Sequence, residues 1–197
     1  VSRIGVLALQ GDFEAHRKAF AGMACDVVEV RRVAQLSDLS GLVIPGGEST
    51  TLLNLMADEP WFDALRGFHD RGGALFGTCA GAILLARTVM NPEQPSLGLL
   101  DATIARNAYG RQVDSFEATI DAPALGGTID AVFIRAPRFQ ALGPTVETLA
   151  AYRGEPVLVR EGRVLAATFH AELTQETKLH AYFLAMAQPP VLVGRSS

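Results

Sequence analysis

Along the first half of the chain, short apolar runs alternate with amphipathic stretches. Arg3 to Leu9 is rich in Ile, Val and Leu and reads as a buried strand. From Asp12, a candidate N-cap, Phe13, Phe20 and Met23 fall near one face of a predicted helix. Cys25 to Val30 and Gly41 to Ile44 read as two further strands, the latter closed by Pro45-Gly46-Gly47. Ser49 to Ala57 and Trp61 to Asp70 read as helices, with Gly72-Gly73 ending the second. Ala74 to Phe76 is a short apolar strand, followed by Gly77-Thr78-Cys79-Ala80-Gly81 and an apolar helix over Ala82 to Ala86. Strands alternating with helices imply βαβ units, hence an α/β fold with a parallel sheet covered on both faces.

From Leu97 the pattern turns to short strand-like pieces: Thr103–Ala105, Phe116–Ile120, Ala131–Ile134, Thr148–Tyr152, Val157–Arg160 and Arg163–Phe169. Glu161-Gly162 between the last two signals a hairpin. Thr174 is read as the cap of a final helix with Leu179, Tyr182, Phe183 and Met186 at i, i+3, i+4, i+7 spacing. No repeat or long linker divides the chain, so a single domain over residues 1–197 is expected, with residues 188–197 a frayed tail.

Composition narrows the class. Hydrophobic residues make up 49% and charged residues 19% of the 197, a globular balance. Lys+Arg 17 against Asp+Glu 21 gives a net charge of −4, which argues against nucleic acid as a partner. The longest apolar run, Ala181 to Ala187, is far short of the ~20 residues that span a bilayer. With no signal-peptide pattern at the start, a cytoplasmic location is expected and membrane association is not. Cys25 and Cys79 make no disulfide framework and are expected as free thiols, Cys25 as a buried structural residue.

The segment around Cys79 carries the most chemistry. It has the strand–turn–helix context of a nucleophile elbow, and its glycines suit a turn that leaves no room for flanking Cβ atoms. There the sulfur would stand over the carboxyl edge of the sheet, a helix N-terminus would favour thiolate, and the Ala80 N–H would face a developing oxyanion. Taken alone, G-x-C-x-G equally fits a small buried residue. A thiol nucleophile needs a base. Of the four histidines, His16, His69 and His180 lie on predicted helices beside polar neighbours and read as solvated. His170 ends an apolar run, and Glu172, two residues on, would project to the same side of a continuing strand and hold the ring in the right tautomer. By itself His-x-Glu also fits an exposed strand-end pair; beside an elbow cysteine it completes nucleophile, base and orienter. Pro45-Gly46-Gly47-Glu48-Ser49 closes a strand and opens a helix, so Gly46 or Gly47 could supply a second oxyanion amide. Arg106 or Arg135 could pair with a substrate carboxylate. No metal-ligand cluster is read from the chain, and no cofactor is expected.

These motifs carry a resemblance. Gly-Thr-Cys-Ala-Gly with a downstream His-x-Glu is similar to the triad class of glutamine amidotransferases. Gly5 to Asp12, Pro45 to Thr51, Arg106 to Gln112, Phe133 to Pro137 and Phe169 to Thr174 together resemble the family of glutaminase subunits of pyridoxal 5′-phosphate synthase, over nearly the whole chain. The resemblance implies a three-layer α/β/α sandwich with a mostly parallel sheet. It also implies hydrolysis of L-glutamine to glutamate and ammonia, and delivery of that ammonia to a (β/α)8-barrel synthase subunit. By motif match it makes Cys79 the nucleophile, His170 the base and Glu172 its orienter. Gly46, Gly47, Glu48 and Ser49 match the glutamine-binding and oxyanion loop, and Ala80 the other oxyanion donor. Arg106, Ile134 and Arg135 match the remaining glutamine contacts, and Gln10 a loop near the interface and oxyanion site. The family usually reads His-Pro-Glu; Ala171 here lacks proline's preset backbone, which weakens the role of Glu172 most. A glutaminase for another acceptor such as histidine biosynthesis, or a flavodoxin-like redox protein with a reactive elbow cysteine, are the competing readings.

Overall fold

The computed structural model describes residues 1–107 and 115–188. In chain order it contains β1 (Ser2–Leu7), α1 (Phe13–Ala19), β2 (Cys25–Val30), β3 (Gly41–Ile44), α2 (Ser49–Leu55), α3 (Trp61–Asp70), β4 (Ala74–Thr78) and α4 (Ala80–Leu85). Then follow β5 (Ala86–Met90), β6 (Leu100–Ala105), β7 (Phe116–Ala122), β8 (Gly127–Phe133), β9 (Arg138–Leu142), β10 (Glu147–Tyr152), β11 (Glu155–Glu161), β12 (Val164–Ala167) and α5 (Lys178–Ala187).

Seven strands form the central sheet in the order β10-β11-β12-β4-β3-β1-β2. The stretch from β12 to β2 is parallel, and β10 and β11 extend it antiparallel. Parallel strands covered on both faces read as unbroken apolar runs, and the period of two sorts them between two cores. Leu7, Leu42, Ile44, Leu75, Val164 and Ala166 join the cluster built with α2, α3 and α4. Ile4, Val6, Val43, Phe76, Leu165 and Ala167 join the one built with Phe20 and α5. A small sheet, β5-β6-β9, and the ribbon β7-β8 complete the described fold.

Three expectations need correction. β5 and β9 were not expected as strands; β5 follows α4 without a loop, and it pairs in parallel with β6. The run expected to continue through Phe169 ends as a strand at Ala167, and His170 instead makes an isolated antiparallel bridge with Val132. Thr174 does not cap the last helix: its hydroxyl donates to Ala171 O and accepts from the Glu176 N–H, building a turn that delays α5 until Lys178. Of the tail, Gln188 ends α5 and residues 189–197 lie outside the described residues.

Candidate active site

Four loops leave the carboxyl ends of β1, β3, β4 and β12 at one edge of the sheet. They carry Gln10, Gly46, Cys79 and His170 respectively. Because β2 and β3 lie on opposite sides of β1, the strand order reverses at this edge, the place where open α/β sheets bind ligands.

Cys79 sits between β4 and α4 with φ 50° and ψ −105°, a conformation that side-chain-bearing residues rarely adopt. Its N–H donates to Ala167 O at 2.9 Å, and its own carbonyl accepts the Ile83 N–H at 3.1 Å. The flanking glycines make the elbow fit: a Cβ on Gly77 would lie 2.4 Å from the Gly81 carbonyl carbon, and one on Gly81 2.0 Å from Ile44 O. Ala80 opens α4, so its N–H is among those left free by the helix start.

His170 is fixed by two backbone bonds with Val132, its N–H donating at 2.8 Å and its carbonyl accepting at 3.3 Å. Its Nδ1 lies 2.6 Å from Glu172 Oε1, and both side chains are buried. A Cβ on Gly46 would stand 2.3 Å from His170 Cε1 and 3.2 Å from Cys79 Cβ, so these three residues close on one point. Burial pulls the His170 imidazole down, but hydrogen bonds to the Cys79 sulfur and the Glu172 carboxylate, with the charges of both, outweigh it and raise it to about 10. The ring is therefore an imidazolium at neutral pH.

The glycine loop is held from two sides. The Gly46 N–H donates to Thr78 Oγ1 at 3.0 Å, and the Gly46 carbonyl approaches Gly11 so closely that a Cβ there would be 1.8 Å away. With the Gly46 amide engaged, Gly47 is the loop residue left to offer an oxyanion donor. Gln10 Oε1 accepts the Glu48 N–H at 3.1 Å and packs against Gly47. Glu48 caps α2: a hydrogen bond from the Thr51 hydroxyl, with the Thr50 and Thr51 amides, holds its carboxyl down to about 2.

The remaining candidates come from the start of α2 and from the ends of β6 and β8. Ser49 Oγ donates to Gln94 Oε1 at 3.0 Å, and Arg106 Nη2 to Thr50 Oγ1 at 3.0 Å. Ile134 and Arg135 follow β8, two and three residues beyond the Val132 that pairs with His170; Arg135 has φ 44°. Of the 106–112 segment, residues 108–112 lie outside the described residues. Cys25 is only partly buried.

Four contributors escaped sequence reasoning. Thr78 supplies the oxygen that anchors Gly46, and Asp12 Oδ2 lies 3.5 Å from His170 Nδ1. Asp12 makes no side-chain bond to the start of α1, although it occupies the cap position. His16 and His180, expected in solvent, are fully buried behind the site; His69 is half-buried. The signal was in the spacing: Phe13, His16 and Phe20 fall at i, i+3, i+7, and His180, Phe183, Leu184 and Ala187 at i, i+3, i+4, i+7.

An elbow sulfur, an imidazolium oriented by a buried carboxylate and two amide donors can attack an amide carbon and hold the resulting oxyanion. On a mostly parallel α/β sheet, this arrangement is that of the class I glutamine amidotransferases. A solved glutamine amidotransferase superposes with a TM-score of 0.88 at 50% identity, covering 93% of this chain and 98% of the other. PurLQS from Thermotoga maritima, at 16% identity and TM-score 0.74 over 95% and 99% of the two chains, shares the fold. The chain belongs to the SNO glutamine amidotransferase family, whose model matches residues 6–188. Among curated relatives, pyridoxal 5′-phosphate synthase subunit PdxT of Koribacter versatilis is 53% identical over 186 residues, 94% of this chain and 96% of its own. The protein of the same name from Deinococcus radiodurans is 52% identical over 189 residues, 93% and 96% respectively.

Proposed function

We propose that the chain is the glutaminase subunit of a pyridoxal 5′-phosphate synthase. It hydrolyses L-glutamine to L-glutamate and ammonia within one glutaminase domain, residues 1–197, and passes the ammonia to a synthase subunit. The observation that carries the reading is the meeting of Cys79, His170 and Glu172 at one edge of the sheet, in a chain about half identical to PdxT proteins over nearly its full length.

Cys79 Sγ attacks the side-chain amide carbon of glutamine. The oxyanion accepts hydrogen bonds from the Ala80 and Gly47 N–H groups. The His170 imidazolium gives its proton to the departing nitrogen, which leaves as ammonia. The neutral ring then takes a proton from water, whose oxygen attacks the thioester carbon and releases glutamate and the thiolate. Glu172 keeps the Nδ1 proton in place throughout, so that Nε2 is the working nitrogen. Glu48, Ser49, Arg106, Ile134 and Arg135 bind the substrate around this centre, and Gln10 tunes the oxyanion loop.

The synthase partner is a (β/α)8-barrel in this reading, and its docking orders the Gly46-Gly47 loop. A catalytic thiol that must stay reduced fits a cytoplasmic location; no described helix is long and apolar enough to cross a membrane. The test is ammonia release from glutamine with and without a synthase subunit, using the native chain and Cys79→Ser. Release that rises with the partner and vanishes in Cys79→Ser supports the proposal; full release by Cys79→Ser overturns it.

A further inference from the structure

Behind Glu172 lies a buried polar chain that the reaction as written does not use. His16 is the one buried residue of α1, and both His16 and His180 are fully buried. His16 Nδ1 lies 2.9 Å from His180 Nε2 on α5. His16 Nε2 lies 3.2 Å from Thr78 Oγ1 on β4 and 3.5 Å from Glu172 Oε2. That Glu172 oxygen has no hydrogen-bond partner among the described residues, while its twin accepts the hydrogen bond from His170 Nδ1. Thr78 Oγ1, in turn, accepts the Gly46 N–H. One imidazole thus stands between the triad's carboxylate and the residue that anchors the oxyanion loop.

The hydrogen-bond pattern assigns the tautomer. A lone pair on Nε2 facing a carboxylate oxygen would be repelled, so Nε2 carries the proton and points it at Glu172 and Thr78. Nδ1 then accepts from the Nε2–H of His180, whose Nδ1 is left as an acceptor without a partner among the described residues. The opposite assignment strands a donor on His180 Nδ1, the costlier kind of buried defect. Burial, with the nearby His180 and His170, holds His16 well below its ordinary range, so the ring is neutral and leaves the charge of Glu172 to His170.

We propose that His16 is a positioning residue: neutral and protonated on Nε2, it pins the outer oxygen of Glu172 and the Thr78 hydroxyl together, tying the triad's acid to the oxyanion loop. This matters in this chain for two reasons. Ala171 between His170 and Glu172 lacks proline's fixed φ, so the backbone alone constrains Glu172 less. His170 Nδ1 also has a second carboxylate within reach, Asp12 at 3.5 Å against Glu172 at 2.6 Å. Without the tie from His16, Glu172 is free to turn and the ring proton to change partners.

The inference rests on the triad reading of Cys79, His170 and Glu172, and its readout is independent of turnover. Ring-nitrogen NMR of the full-length protein follows the charge on His170 with pH. In the native chain the midpoint lies near the raised value of about 10. The groups facing His16 are His180, Thr78, Glu172 and His170, with Asp12 at the start of its own helix. In His16→Leu the midpoint falls by about one pH unit, the tenfold change that one hydrogen bond of ordinary worth represents. Ammonia release loses about tenfold in kcat with KM little changed, because substrate contacts are untouched. His16→Gln, whose amide nitrogen takes the place of Nε2, restores both. His16→Asn reaches only the His180 side and does not. If His16→Leu fails to fold, the Gln and Asn pair decides. A native His170 midpoint in Leu or Asn, or a lowered one in Gln, overturns the proposal. Full ammonia release by Cys79→Ser would instead overturn the triad reading and leave the ring titration standing.

Discussion

Gly46→Ala is a perturbation of one methyl group aimed at the junction of Cys79 and His170, the proposed nucleophile and base. Its Cβ would lie 2.3 Å from His170 Cε1, 2.9 Å from Nδ1 and 3.2 Å from Cys79 Cβ. Ordinary carbon–carbon contact is about 3.5 Å, so the imidazole must retreat by roughly 1 Å. Neither wall yields easily. The residue 46 backbone is tied to Thr78 Oγ1, and His170 is bridged to Val132 and bonded to Glu172. The backbone at 46 is not in the left-handed region, so alanine adds no φ strain of its own and the effect is steric at the ring. A misplacement of about 1 Å at a reacting group costs on the order of 10²-fold. We expect kcat for ammonia release to fall about 100-fold in the assembled complex. Thermal unfolding should move far less than for a core deletion. A folded Gly46→Ala protein with native turnover would show that His170 need not meet Cys79 at this point, and would refute the reasoning.

Two further outcomes follow from the same packing. Burial holds His180 down to about 4, against an ordinary value near 6.5, so the folded ring stays neutral where the unfolded chain takes up a proton. Stability should therefore be full above about 6.5 and fall as pH drops toward about 4, by about 3 kcal/mol from this ring, with the lowered His16 acting in the same direction. Denaturant unfolding at a series of pH values measures it, and a slope unchanged in His180→Gln would contradict the assignment. Gly81→Ala should destabilise the fold by about 2–3 kcal/mol, because its Cβ would stand 2.0 Å from a backbone oxygen, Ile44 O, that cannot swing away. A melting temperature equal to that of the native protein would show that α4 can lift off β3 freely.

Much of this fold is legible in the sequence, and the exceptions have physical causes. β2, β3 and α3 run over the residues their patterns predict, because each is a short apolar or amphipathic run bounded by turn residues. Gly77 and Gly81 around Cys79 fit either a tight strand-to-helix turn or a small buried residue; the positive φ of Cys79 and the crowding at both glycines show the turn. The pairing of His170 with Glu172 was anticipated, but by a continuing strand; instead a bridge to Val132, distant in sequence, and a local turn at Thr174 hold the segment. β9 was hidden because Arg138-Phe139-Gln140-Ala141-Leu142 has an exposed side and a bulged register with β6. The buried histidines were misjudged by reading their neighbours as polar. Arg17 and Lys18 beside His16 face solvent, while His16 itself turns inward with the Phe20 face. The three-dimensional tie from His16 through Thr78 to Gly46 joins three segments and left no local mark.

The central claim is tested most directly by an electrophilic analogue of glutamine, a chloroketone in place of the side-chain amide, followed by peptide mapping of the adduct. One equivalent should attach to the Cys79 sulfur, glutamine should protect against it, and His170→Asn should slow it sharply while the protein remains folded. Attachment at Cys25, or a Cys79 that stays unmodified while the protein is folded and partnered, would contradict the account.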